Sequence, residues 1–191
     1  MKNAHTGKVV THIFTILMCA AILVMIGCCF NPYFTISKPY HFILNPNPQL
    51  EHYSLIDLMW TDTVAITESF TEMYPGFDIN LYVTNLVLSF VFGIATVLTC
   101  VWHFANEFRR FPSLTSGIFT NICAICWAAF SLMGYLNNAM LDAGVEAFMG
   151  IRNVIIITVI TGTALAAIRF VVWLLTEIQV VKERKARLAL L

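Results

Sequence analysis

"NVIIITVITGTALAAIRFVVWLL", residues 153–175, carries a single charged side chain, Arg169, in an otherwise apolar run. A helix needs about 20 mostly apolar residues to cross the roughly 30 Å hydrocarbon layer of a bilayer, and this run is that long. A spanning β-strand would be about ten residues long and would alternate apolar with polar side chains. The stretch is apolar all round, so it predicts a transmembrane helix.

Three further stretches, residues 9–30, 79–104 and 114–136, are equally apolar and contain no charged side chain. Over the whole chain 12 % of residues are charged, whereas soluble proteins have about a quarter. The sequence therefore predicts an all-α membrane protein, with a four-helix transmembrane bundle as its one domain, 1–191. Residues 31–78 form a small cap on the outer side, which includes an amphipathic helix.

The net charge is zero, but the basic residues are unevenly placed. The positive-inside rule assigns the segments rich in Lys and Arg to the cytoplasm. The segment between spans one and two and the segment between spans three and four hold only one basic residue each, Lys38 and Arg152. The terminal segments and the loop between spans two and three hold Lys2, Lys8, Arg109, Arg110, Lys182, Arg184, Lys185 and Arg187. We therefore expect a multi-pass protein of the cell membrane with both termini in the cytoplasm.

The outer segment divides into two parts. Residues 31–52 are rich in proline and aromatic residues, which excludes a long helix and favours extended chain or short strands near the membrane interface. Residues 54–73 fit an amphipathic helix that begins with a capping box, Ser54 and Asp57, and ends at Pro75-Gly76.

This helix is expected to place its apolar side, with Trp60 and Phe70, against the outer ends of the bundle. Its polar face lacks Lys and Arg, which a helix lying on anionic lipid would need. That face is either simply solvated or a docking surface for a partner. Its acidic residues are Asp57, Asp62, Glu68 and Glu72.

Cys28 follows Gly27 at the end of the first apolar run, an arrangement that resembles a lipoprotein signal. However, Met25 stands where such signals usually have Leu, and the run is long enough to span the bilayer uncut. We therefore predict that the first helix is retained and leaves the membrane at residues 28–30. Asn31-Pro32 then stops it.

A second cysteine pattern, "CAIC" at residues 123–126, has the spacing of a thiol redox motif. With four spans it is similar to the disulfide-forming quinone oxidases and the vitamin K epoxide reductases, which need an outer cysteine pair. Cys123 would lie about 14 Å into its span, and the outer loop has no cysteine to reach it. A redox enzyme using Cys123 and Cys126 is thus an alternative hypothesis, and packing in the bundle is the favoured one.

Small and polar residues recur at four-residue steps within spans two, three and four. Such stripes let helices approach closely in lipid, either inside one bundle or between two copies of it. The sequence leaves both arrangements open. The stripes are Asn85, Ser89 and Gly93; Thr120, Ala124 and Ala128; and Thr158, Gly162 and Ala166.

Arg169 is the candidate functional residue, because a charge within a span is costly and by default suggests function. We predict a structural role in which the long side chain extends to the interface or pairs with Glu107 or Glu177. His12 and His103 lie near the same end of their spans. They could ligate a haem, but an interfacial position is favoured, and no cofactor or metal is predicted.

The stretches "CCFNPYFTIS" and "YSLIDLMWTD", followed by a second span with scattered polar residues, resemble a diffuse group of uncharacterised bacterial four-span membrane proteins. The resemblance covers about residues 20–103. It implies a bacterial inner-membrane protein and supplies no site residue. Claudin-like proteins have a similar loop layout, but their loop disulfide is absent here.

The sequence favours a non-enzymatic accessory, scaffold or sensor protein. Its expected partners are the lipid bilayer and either another membrane protein or further copies of the chain. A redox enzyme and a small oligomeric transporter or channel are the alternatives. The basic residues form no face interleaved with aromatics, so no nucleic-acid binding is predicted.

Overall fold

Each of the four apolar stretches forms one long helix. The computed structural model describes residues 2–37, 50–60, 78–107, 114–135 and 149–188. Its elements, in chain order, are α1 (Lys2–Cys28), β1 (Pro32–Ser37), β2 (Leu50–Ser54), α2 (Leu55–Trp60), α3 (Ile79–Glu107), α4 (Leu114–Tyr135) and α5 (Met149–Leu188). The segments long and apolar enough to cross a membrane are Thr6–Cys28, Asn80–Glu107, Leu114–Tyr135 and Gly150–Glu183. The four predicted spans are thereby confirmed, although the fourth is longer than residues 153–175.

The four long helices pack as two antiparallel pairs. α1 lies along α5, and α3 lies along α4, each pair with extensive contact. Thinner contacts between α4 and α5 and between α1 and α3 join the two pairs. We call this boundary between the α1/α5 pair and the α3/α4 pair the seam. One end of the bundle, the termini end, holds the start of α1 and the end of α5; the other is the cap end.

The outside of the bundle is apolar and much of its inside is polar. Large exposed side chains such as Leu98 and Ile157, each 64 % exposed, cover the outward faces. Water would penalise this surface, whereas lipid tails accept it. The four helices therefore define an integral membrane protein, and the polar side chains are hidden between them.

The stripes of small residues face inward, which answers the question the sequence left open. The fully buried indole of Trp127 on α4 occupies the middle of the bundle. A Cβ at Gly93 of α3 or Gly162 of α5 would come within 3.3 Å or 2.5 Å of that ring. Gly117 of α4 makes the same kind of room for Trp173 of α5. These glycines serve packing inside one bundle.

At the cap end a short strand pair and a single helical turn follow α1. β1 and β2 are antiparallel, with Thr35 opposite His52, so of the two forms predicted for residues 31–52, extended chain or short strands, the described part takes the second. The backbone amide of Ile56 then donates to the carbonyl of Cys29, and buried Leu55 reaches the core. The small cap thus rests on the ends of α1 and α3.

The predicted capping box is present at the start of α2. The amide and hydroxyl of Ser54 both donate to Asp57 Oδ2, at 2.8 and 2.7 Å, and the Asp57 amide donates back to the Ser54 hydroxyl. α2 is described only to Trp60, whose side chain lies outside the description. The rest of the predicted helix, with Asp62, Glu68, Phe70 and Glu72, lies outside the described residues.

Candidate functional site

Arg169 lies inside the bundle and is fully buried. The expectation that its side chain extends outward to the interface does not hold, because the guanidinium is enclosed between helices and bonds to two of them. It therefore points across the bundle to its neighbours.

Two neutral side chains hold the guanidinium. Arg169 Nε donates to Thr15 Oγ1 on α1 at 2.8 Å, and Arg169 Nη1 donates to Asn121 Oδ1 on α4. The Thr15 hydroxyl gives its own proton to the carbonyl of Thr11, so its oxygen is free to accept. The single cation thus ties three helices together and crosses the seam.

The set of hydrogen bonds around Arg169 is incomplete. Arg169 Nη2 and Asn121 Nδ2 are both buried and have no hydrogen-bond partner in the described part of the chain. The titratable groups that interact with Arg169 there are the thiols of Cys19 and Cys100 and the imidazole of His103, and none is a carboxylate. A buried cation with only neutral partners is among the most costly arrangements in a membrane protein.

The two predicted acidic partners of Arg169 lie elsewhere. Glu107, at the end of α3, contacts α1 across the seam: His12 Nε2 is 2.6 Å from Glu107 Oε2, and Lys8 Nζ is 3.9 Å from Glu107 Oε1. Glu177 lies two turns beyond Arg169 on α5 and is half-buried, with an interaction of its own. The hydrogen bonds of Arg169 described here go to Thr15 and Asn121, and not to Glu107 or Glu177.

The two histidines, His12 and His103, lie near Glu107 at the termini end of the bundle. His12 stacks on Phe104 with ring centroids 4.7 Å apart, while His103 Nδ1 lies 3.0 Å from Ser116 Oγ. Asn106 also donates to that hydroxyl at 3.0 Å. Within the described residues, no group of three His, Cys, Asp or Glu could hold a metal ion.

Further polar contacts cross the bundle nearer the cap end. The hydroxyls of Ser89 on α3 and Ser131 on α4 are 2.6 Å apart, and each lies 3.9 Å from Met25 Sδ on α1. Beyond them, Cys29 Sγ lies 3.3 Å from the Tyr135 hydroxyl. Burial raises the pKa of the Cys29 thiol to about 11, so that this group stays neutral near pH 7.

The cysteines of the redox hypothesis, Cys123 and Cys126, are half-buried free thiols one turn apart on α4. Cys123 precedes Tyr135, the contact of Cys29, by about 18 Å of helix, so the two thiol levels are well separated. The redox hypothesis stays a prediction, as does the lipidation question at Cys28, which is the half-buried last residue of α1.

The residues of the proposed outer docking face are only partly described. Asp57 is half-buried and its carboxylate is engaged by Ser54. Asp57 is therefore the partner of Ser54 in the capping box, while the role of the other acidic residues stays a prediction. Asn121 and Thr15 are the members of the Arg169 site that sequence reasoning missed. Their signal was present, because polar residues within apolar spans turn toward the interior.

Comparison of the chain with models of protein families, with curated proteins and with solved structures found no match. The class of the protein therefore rests on its own residues: four long apolar helices that form an integral membrane bundle with a charged and hydrogen-bonded interior.

Proposed function

We propose that this chain is an integral membrane sensor or accessory subunit, in which the α1/α5 pair moves against the α3/α4 pair. The observation that carries the proposal is Arg169, a fully buried cation at the seam whose hydrogen-bond partners are neutral. A protein that needed only stability would gain by replacing such a residue with a well-packed apolar one.

The arrangement of contacts suits a two-state element. Contact within each helix pair is extensive, whereas the thinner seam is crossed by polar contacts at several levels. These include the Glu107–His12 contact, the Arg169–Asn121 hydrogen bond and the Cys29–Tyr135 contact. Protonation or ligand binding changes the strength of such contacts, and packed interfaces respond by switching between discrete arrangements.

The proposed setting is the cell membrane, with both termini in the cytoplasm, the cap outside and, by the resemblance, a bacterial inner membrane. The proposed partner is another membrane protein. The inward stripes of small residues are used within the bundle, so the partner would meet large apolar side chains on an outward face. A second copy of the chain is an outcome that the experiment below can detect.

The test is photo-crosslinking in native membranes. A photoreactive amino acid is placed at one exposed position on each long helix: Ile16, Leu98, Ile122 and Ile157. We expect one helix face to capture a membrane protein and the other faces to capture lipid. Lipid alone at all four positions would contradict an accessory role.

The sensor part of the proposal is tested by repeating the crosslinking in an Arg169→Gln variant. We expect the yield at the partner face to change by several-fold, because the seam loses its buried cation. Arg152→Gln is the matched control, since it removes the same charge from the same helix at a half-buried position near the cap end. An equal yield in the wild type and both variants would exclude the seam as the moving part.

A further inference from the structure

We infer that the Arg169–Asn121 layer binds a small monovalent anion, a halide or a compact carboxylate such as formate. The coupling of this binding to the seam rests on the proposed function, but the binding itself does not. Arg169 Nη2 and Asn121 Nδ2 are donors that are both buried and both lack an acceptor in the described structure. An anion accepts hydrogen bonds from both and supplies the missing negative charge.

The two unpartnered donors belong to side chains that are already in contact. Arg169 Nη1 donates to Asn121 Oδ1, and the unpartnered nitrogens, Arg169 Nη2 and Asn121 Nδ2, belong to the same guanidinium and the same amide group. The other donor of the group, Nε, is held by Thr15 and fixes the plane of the guanidinium. A buried guanidinium with unpartnered N–H groups is a strong binder of anions.

The charge and the burial of the site select the class of anion. One formal positive charge is compensated by one negative charge, so sulfate or doubly charged phosphate would leave a buried excess. Both donors are shielded from solvent between packed helices, which favours an anion small enough to fit between them.

Binding requires a small separation of the helices. The unpartnered atoms of Arg169 and Asn121 are shielded from solvent in the present packing. Arg169 belongs to the α1/α5 pair and Asn121 to the α3/α4 pair, so an anion entering between them pushes on the seam. The anion would thus favour one arrangement of the two pairs over the other.

The experiment measures thermal unfolding of the purified, detergent-solubilised protein in sodium chloride, sodium formate or sodium gluconate at constant ionic strength. Gluconate is too bulky for the site and serves as the reference. At an anion concentration about a hundredfold above its Kd, we expect the unfolding temperature to rise by roughly 5–10 °C. Broadening of the chloride NMR line by the protein is the direct readout of binding.

Asn121→Asp is the decisive variant, because it builds a carboxylate into the position of the anion. We expect this variant to be stabilised in gluconate already and to have lost its response to chloride and formate. Asn153→Asp is the matched control: it adds the same charge at an exposed position of α5 and should keep the response. Arg169→Gln, if it folds, should also lose the response.

Equal unfolding temperatures in the three salts would overturn the inference, as would a chloride response that persists in Asn121→Asp. The two proposals fail separately. If chloride binds to the purified protein but does not change the crosslinking yield, the sensor mechanism is contradicted and the anion site is retained. If a partner is captured at one face but no anion changes the unfolding temperature, the anion site is contradicted and the accessory role is retained.

Discussion

Trp127 sets the packing at the centre of the bundle. Its ring is fully buried and lies where Gly93 and Gly162 leave room for it. Large aromatic side chains that fill such spaces contribute strongly to stability, but the neighbours must have no Cβ to allow it. At this level, the choice of glycine follows from the size of a side chain on another helix.

The first prediction concerns that contact. Gly162→Ala should destabilise the protein by about 1–3 kcal/mol, because the new Cβ would lie 2.5 Å from the Trp127 ring. Gly27→Ala is the control, since nothing lies within 4 Å of its Cβ position and alanine is the better helix former. Thermal unfolding in detergent compares the two. Equal loss in both would mean that Trp127 does not occupy this space.

The second prediction concerns Cys29. Its pKa of about 11, raised by burial, means that the thiolate is scarce at pH 8. Relative to an ordinary thiol of pKa 9.0, the thiolate fraction is about a hundredfold lower. In a background with Cys29 as the sole cysteine, maleimide labelling should be slower by at least that factor and should accelerate as the pH rises toward 11. Rapid labelling at pH 8 would contradict the buried contact with Tyr135.

The elements differ in what holds them in place. The long helices are fixed by lipid on one side and by polar contacts on the other, whereas the cap is a small structure resting on the bundle end. α2 begins with a reciprocal cap between Ser54 and Asp57. Leu55 then enters the core, and the start of the helix is tied to α1 by the Ile56–Cys29 hydrogen bond.

The third prediction belongs to this element. Leu55→Ala should cost about 2–5 kcal/mol of stability, because it removes a fully buried side chain where the cap meets the bundle. Phe30→Ala is the control, since Phe30 is 61 % exposed and its loss should cost far less. Unfolding temperatures of the two variants decide the point. A larger loss of stability in Phe30→Ala than in Leu55→Ala would contradict the burial of Leu55 between the cap and the bundle.

The molecule as a whole reverses the usual placement of polar residues, because lipid surrounds it. Its outward faces are covered by large aliphatic side chains, while Arg169, Asn121 and Ser131 are buried. In lipid, apolar side chains gain nothing by leaving the surface, so polar groups become the ones driven inside. Polar contacts therefore cross the seam at several levels, among them Arg169–Asn121, Glu107–His12 and Cys29–Tyr135.

The fourth prediction is the orientation of the whole molecule. In a cysteine-free background, a single cysteine at Asn47 should react with an impermeant thiol reagent on intact cells. One at Lys185 should react only after permeabilisation, because the positive-inside rule places that end in the cytoplasm. The reverse pattern would invert the topology and leave the four-helix bundle unaffected.

The sequence by itself determined the number of spans and the capping box at Ser54, because length, apolarity and local hydrogen bonding are properties of contiguous residues. Only the tertiary structure decided where Arg169 goes. Its partners Thr15 and Asn121 come from helices distant in sequence, and their meeting depends on how four helices rotate about their axes. That rotation is fixed by packing, such as Trp127 against Gly162, and no local pattern encodes it.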